Sequence, residues 1–407
     1  MNPPSGQDFA WETRHRYFPA VEGMRGVAAL SVLGGHVLFL GNAFGGTLQG
    51  VAFWLGIAGV GVFFSISGFL LYRPFVAARN AGRSVAAATP SYFLRRAVRI
   101  YPAYWVALTV LAIWPGLIAV FSSQWWAYYG LLQIYSSAWS IGGITPAWSL
   151  CVEITFYLLL PVLAAILARR GARPDRPKGL RWEVGVLGGL ALLSCFAYWW
   201  TGTGAETGFL EATLVGTFSW FWWGMLLAVI QVAHPPAVSR LGRLLARPLV
   251  CWPLAVAVFA LLPSNFFAHL GFSDLLRMSC CWACIGLIGG LMVAPAALGD
   301  GNGLVRALLA NRALVYAGTI SYGIYLYHYP ILNWALNTDF VRTAAMPAAT
   351  GGAITLALAV LLGSASWFAV ERPLMRRVRS VKGERPAPPR RRPGRVSVEP
   401  VPSETAS

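Results

Sequence analysis

Apolar residues in this chain fall into long blocks of about twenty, separated by short segments in which arginines collect. Ten such blocks lie near 20–41, 51–72, 102–122, 148–168, 183–200, 209–232, 249–268, 278–298, 313–334 and 349–370. A helix of about 20 residues, rising ~1.5 Å per residue, crosses a ~30 Å hydrocarbon layer and satisfies its own backbone hydrogen bonds there. The pattern therefore predicts an all-α polytopic membrane protein with about ten transmembrane helices.

Composition supports that class. Hydrophobic residues make up 57% of the 407 and charged residues only 12%, with a mean hydropathy of +0.58, which excludes an ordinary soluble globule. The formal charge of +17 would point a soluble chain toward nucleic acid, but here its distribution decides otherwise. Nearly all the basic residues sit in alternate segments between blocks; the exceptions are Arg25 inside the first, Arg277 at a helix edge and Arg342 in an opposite loop. By the positive-inside rule both termini are expected in the cytoplasm, with the chain in the cell membrane as a multi-pass protein and no nucleic-acid partner.

The first block is full length and follows Asp8, Glu12, Arg14 and Arg16, so it reads as a retained helix rather than a cleaved signal peptide. Residues 1–375 are expected to form a single membrane domain. Residues 376–407, rich in Pro and Arg, read as a disordered basic tail lying on anionic lipid and dispensable for activity. Six cysteines sit in predicted helices, Cys280, Cys281 and Cys284 among them, without His or carboxylate at ligand spacing. They read as packing residues, and no metal site is expected.

Ionisable residues inside apolar blocks narrow the chemistry. In VEGMRGVAALSVLGGH (21–36) the block carries Glu22, Arg25 and His36. Eleven residues separate Arg25 from His36, about 16 Å and nearly three turns of helix, so both face one way. Such groups cost roughly 2.5–3.5 kcal/mol at mid-bilayer and normally face a cavity or a partner. Interfacial anchoring of Arg25 and an interhelical hydrogen bond from His36 explain the pair equally well.

Later segments pose similar choices. Ser67 and Gly68 interrupt a bulky run, either for close helix packing or to leave room for an acyl chain or pantetheine arm. Arg95, Arg96 and Arg99 lie just before the predicted third helix. Arg96 and Arg99 share a helical face suited to phosphate, although topology and lipid headgroups also collect arginines there. An uncharged loop with Trp125, Trp126, Tyr128, Tyr129 and Trp139 reads as an interfacial belt, or as a face for stacking a sugar or macrocycle.

Glu153 sits about one turn inside the fourth helix and needs a partner, either an Arg or His36. Tyr322, Tyr325, Tyr327, His328 and Tyr329 cluster in the ninth helix, as interfacial anchors or, for Tyr327 and His328, as substrate contacts. Glu371 and Arg372 are expected to pair ionically at the end of the tenth. Helices five to eight, with Trp220, Trp222 and Trp223, read as scaffold and acceptor-binding wall.

Six segments in order carry a family likeness: Arg25 with ten residues before His36, SGF at 67–69, RRAVRIYPAYW from 95, PAWSLCVEITFYLLLP from 146, YGIYLYHYPI from 322 and VERPL from 370. Over about residues 16–378 the chain resembles the acyltransferase 3 family, integral membrane acyl-CoA-dependent O-acyltransferases. The resemblance implies that Arg25 and His36 match the family's essential pair and that Arg96 and Arg99 match its RxxR motif. It also implies acyl-CoA, most simply acetyl-CoA, as co-substrate with no tightly bound cofactor. The acceptor would be a hydroxyl-bearing glycan or glycosylated small molecule, with membrane lipids around the protein.

On this reading His36 takes the acceptor hydroxyl proton and Glu153 orients the imidazole. Arg25 binds CoA or stabilises charge developing on the thioester oxygen, and the 95–99 arginines hold the CoA phosphates. An acyl-histidine intermediate on His36 is the variant mechanism. The tail is too short and polar for the additional esterase-like domain that some family members carry. The competing class is a transporter, because a buried Arg, His and Glu also suit a substrate or proton pathway.

Overall fold

The computed structural model describes residues 18–41, 46–82, 89–136, 139, 142–170, 177–201, 212–233, 236–264, 266–299 and 303–380, and every regular element among them is helical. Arg14, Arg16 and residues 381–407 of the expected tail lie outside the described residues. Residues 376–380 of that tail continue a helix.

The principal helices are α1 (Pro19–Leu40), α2 (Gly46–Asn80), α3 (Thr89–Ile113), α4 (Trp148–Arg170), α5 (Pro177–Thr201) and α6 (Leu214–Ala233). They continue with α7 (Pro248–Leu261), α8 (Asp274–Leu298), α9 (Arg312–Thr319), α10 (Ser321–Leu336), α11 (Pro347–Ser366) and α12 (Arg372–Ser380). Each of the ten predicted blocks contains helix, the third only as far as Ile113 rather than 122, and seven of these helices are long and apolar enough to cross a membrane by length and composition. The other blocks depart in identifiable ways. Lys178, Arg181 and Glu183 load the start of α5 with charge, α7 has only 14 residues, and the ninth block is divided at Ile320 into α9 and the 16-residue α10.

Two helices extend well beyond their apolar cores. α2 runs for 35 residues and passes through Pro74 without ending. α3 begins at Thr89 rather than near 102, which places Arg95, Arg96 and Arg99 within the helix instead of ahead of it. The arginines depress hydropathy there, but Pro90 suits a first turn, and Tyr92 and Ile100 are buried against the rest of the bundle. Helical phase thus continues across the polar stretch and fixes the direction of each guanidinium.

Small residues set the spacing of the central helices. A Cβ on Gly35 would meet the backbone of Gly56, one on Gly68 would meet the Phe221 carbonyl, and one on Gly224 would meet the Ser65 carbonyl. These contacts bring α1, α2 and α6 backbone to backbone, the association favoured where lipid removes the hydrophobic drive between helices. The space beside Gly68 is therefore filled by α6 and holds no acyl or pantetheine arm. Gly68→Val is expected to lower stability by about 1–3 kcal/mol, as overpacking of a close-packed interior does. A melting transition equal to wild type in detergent would refute that packing role.

At the far end of α2, Arg79 and the Tyr72 hydroxyl both hydrogen-bond to the Glu183 carboxylate of α5. Gln231 of α6 accepts from Arg73 Nε at 2.6 Å and donates to the Ala297 carbonyl at 2.8 Å, joining α2, α6 and α8. The expected Glu371–Arg372 ion pair does not form. A π-helical turn, Trp367–Glu371, inserts before α12 and turns Glu371 inward, where it is 1% exposed and accepts from Ser366 Oγ at 3.4 Å. Arg372 instead lies over the Phe368 ring, 5.5 Å from its centroid. Adjacent residues on a helix point about 100° apart, so Glu371 and Arg372 have no common face.

Candidate active site

α10 supplies the wall around which the site is built. It is buried over most of its length, and Gly323 packs against Gly363 of α11 so closely that the two helices touch through backbone. Residues three apart share a helical face, from which Tyr322 donates to the Ile100 carbonyl of α3 at 3.0 Å while Tyr325 meets Phe63 of α2 and Ser149 of α4.

On one side lies a cavity of about 270 Å³, lined among others by Arg25, Ser67, Arg96, Arg99, Glu153 and Tyr157. Ser67 Oγ donates to Glu153 Oε1 at 2.5 Å, and the Tyr157 hydroxyl donates to the same oxygen. The Arg96 guanidinium sits 5.9 Å from the Tyr157 ring centroid, and Arg25 Nη1 is 3.7 Å from Glu22 Oε1. Arg99 and Arg25 both exert a favourable pull on Glu371 behind the cavity. Three guanidinium groups thus face two lining carboxylates, Glu22 and Glu153. Counted on the lining alone the surplus is positive, with Glu371 set back from it, and the groups are sheltered from bulk water, conditions that favour an anionic ligand.

A second cavity, of about 170 Å³, is lined by His36, Thr145, Trp148, Tyr329 and aromatic residues of α1 and α2. His36 Nδ1 lies 3.0 Å from the Val32 carbonyl and 3.1 Å from His328 Nε2. The rings of His36 and Tyr329 meet edge to face, with centroids 5.1 Å apart. A few polar groups set among aromatic faces suit a ligand with hydroxyl-bearing, stackable surface.

Val60 and Tyr325 line both cavities. The Tyr325 hydroxyl donates to the Pro146 carbonyl at 2.8 Å and pairs with Ser149 Oγ at 2.6 Å. One tethered ring therefore forms much of the partition between the arginine cavity and the histidine cavity.

The structure brings most of the sequence candidates together, in two groups rather than one. Arg25, Ser67, Arg96, Arg99 and Glu153 share the first cavity. Glu153 does not partner His36: it is held by Ser67 and Tyr157, and the imidazole instead meets His328. Arg95 is half-buried outside the lining, one position from Arg96 and so turned by about 100°. Tyr327 is buried and lines neither cavity, and His328 is buried behind His36 at 1% exposure. Tyr157 and Ser149 were absent from the sequence candidates, and Tyr325 was read only as an interfacial anchor. For Tyr157 a signal existed, since it stands four residues from Glu153 and side chains at that spacing meet on a helix.

Residues 18–364 match a protein family described as an acyltransferase domain. Among relatives, the chain is 28% identical over 392 residues to Nodulation protein 10 of Rhizobium leguminosarum bv. viciae, covering 87% of this chain and 92% of that protein. It is 23% identical over 347 residues to the peptidoglycan O-acetyltransferase OatA of Listeria monocytogenes, covering 78% of this chain and 50% of the relative. The O-acetyltransferase OatA of Staphylococcus aureus is 25% identical over 347 residues, with 80% and 52% covered. The chain thus spans about half the length of these peptidoglycan and related O-acetyltransferases. No solved structure matches it. With the greater part of its length matched to that domain and its ionisable residues gathered around two intramembrane cavities, the chain belongs to the acyltransferase 3 family.

Proposed function

We propose that this protein is a multi-pass O-acyltransferase of the cell membrane that moves an acyl group, most simply acetyl, from acyl-CoA to a hydroxyl of a sugar. The sugar would belong to a cell-surface glycan or a glycosylated natural product. The observation that carries this reading is the pair of cavities meeting at Tyr325 and Val60, one cationic and one containing an imidazole. A two-substrate transfer needs two such sites with a shared boundary at which the reacting atoms meet. The names of the Listeria and Staphylococcus relatives support acetyl as the group moved and, for Listeria, a glycan as acceptor.

Arg96 and Arg99 hold the CoA phosphates from α3, with Arg95 beside them at the edge, and both termini lie in the cytoplasm. Arg25, on the same lining as Arg96 and Arg99, binds CoA or carries charge that develops on the thioester oxygen. His36 removes the acceptor hydroxyl proton as that oxygen attacks the thioester carbon. Glu153, tied to Ser67 and Tyr157, holds the arginine side in register rather than orienting His36.

Membrane vesicles carrying the protein, supplied with radiolabelled acetyl-CoA and a cell-envelope extract, test the reading through label in acceptor and release of free CoA. Both are expected. A transporter leaves acyl-CoA intact, so acceptor-dependent movement of solute without CoA release would replace this reading. Arg96→Ala is expected to raise KM for acyl-CoA about tenfold or more, the scale of one lost charge-assisted hydrogen bond, with kcat less affected. An unchanged KM would count against phosphate binding by α3.

A further inference from the structure

We propose that His328 is the positioning residue for His36: its bare Nε2 accepts a hydrogen bond from His36 Nδ1–H and so leaves the other His36 nitrogen, Nε2, as the base. This rests on the reading of His36 as the group that takes the acceptor proton, and it names the device that prepares that group.

The assignment follows from which neighbours can only accept. His328 Nδ1 lies 2.8 Å from the Tyr325 carbonyl and 3.1 Å from that of Ile324. Carbonyl oxygens have no hydrogen to give, so this nitrogen carries the proton, and a neutral imidazole then has an unprotonated Nε2. That Nε2 sits 3.1 Å from His36 Nδ1. His36 Nδ1 in turn faces the Val32 carbonyl at 3.0 Å, so it too bears hydrogen and shares it between Val32 and His328. The Val32 carbonyl already accepts within α1, which leaves His328 as the acceptor dedicated to the ring. By elimination the lone pair of His36 is on Nε2, the remaining ring nitrogen of a residue that lines the second cavity.

A second imidazole suits this place better than a carboxylate. His328 is 1% exposed on a helix buried within the bundle. A buried carboxylate there would need a compensating cation, whereas a neutral ring supplies an acceptor without adding charge. During transfer the acceptor O–H proton moves to His36 Nε2 as the new C–O bond forms. The C–S bond then breaks, and the same proton passes to the departing sulfur, giving CoA thiol and restoring neutral His36. In the interval His36 is cationic, and His328 Nε2 and the Val32 carbonyl hold its Nδ1–H.

The test compares His328→Gln with His328→Asn in the vesicle assay. Gln can place an acceptor oxygen near the position of the imidazole Nε2, while the side chain of Asn ends about one bond short and cannot reach His36. The Asn variant is expected to lose on the order of 10–100-fold in kcat, the usual cost of removing an imidazole's outer partner. The Gln variant is expected to recover most of that loss, and KM for acyl-CoA is expected to stay at the wild-type value in both, because the arginines line the other cavity. The kcat ratio is taken below the melting transitions of both proteins, so that lowered stability in either does not enter it. An Asn variant as fast as wild type, or Gln and Asn slowed equally, overturns the proposal. His36→Ala separates the two levels: if it stays active, the base reading falls and this inference with it. If His36→Ala is inactive while Asn is not slowed, this inference alone falls.

Discussion

In His36→Ala protein, kcat for acyl transfer is expected to fall by ~10²–10⁴-fold, the range that positioned general bases contribute. The imidazole is the group on the second cavity's lining with a nitrogen lone pair for a hydroxyl proton. KM for acyl-CoA should change little, because Arg96 and Arg99 line the other cavity. Release of free CoA from vesicles with equal amounts of inserted protein is the measurement, and near-normal release would remove His36 from the chemistry. The same variant addresses the acyl-histidine route. If wild-type protein accumulates label without acceptor and His36→Ala does not, His36 carries the acyl group rather than a proton.

The second large effect is on stability and lies away from both cavities. Glu183→Ala is expected to destabilise the protein by about 3–5 kcal/mol, because it leaves a buried guanidinium without its counter-charge. Arg79 and Glu183 are 9% and 2% exposed, and the Tyr72 hydroxyl donates a hydrogen bond to the same carboxylate. One substitution thus strands both a cation and a phenol. A large fall in the melting temperature in detergent, or in resistance to protease, measures the loss. Replacing both charges, as in Arg79→Met with Glu183→Leu, is expected to recover the part due to the stranded cation, since apolar residues dispense with the desolvation that the ion pair must offset, while Tyr72 still lacks its acceptor. If the single and double variants melt alike, the network is not what holds α2 against α5.

The histidine pair and the Arg79 network illustrate different routes from sequence to structure. Arg25 and His36 were legible as a pair because they occupy one helix, where eleven residues set both the distance and the face. Arg96 and Arg99 were legible for the same reason, although α3 begins earlier than its apolar core and so carries them inside the bundle. Family resemblance added roles to these residues, and the match over residues 18–364 bears out the family.

Pairings between helices were another matter. Glu153 offered a choice of partners, and the one used in the expected chemistry, His36, is not the one it has. Depth is read from position along a helix, but partnership depends on rotation about the helix axis and on which neighbour packs beside it. Glu371 shows the same limit: an adjacent Arg372 suggested a pair, while a π-helical turn directed the carboxylate inward toward Arg99 and Arg25.

The chain alone therefore determined an all-helical membrane protein, its ten apolar blocks, its family and the residues that share a face within one helix. These follow from local periodicity and the cost of exposing backbone or charge to lipid, both of which act over a few turns. Tertiary structure decided that the candidates divide between two cavities, that Tyr325 stands between them and that His328 rather than Glu153 meets His36. Those relations arise where glycines let particular helices touch, and the rotation of each helix at its contact is set by all its neighbours together rather than by its own residues.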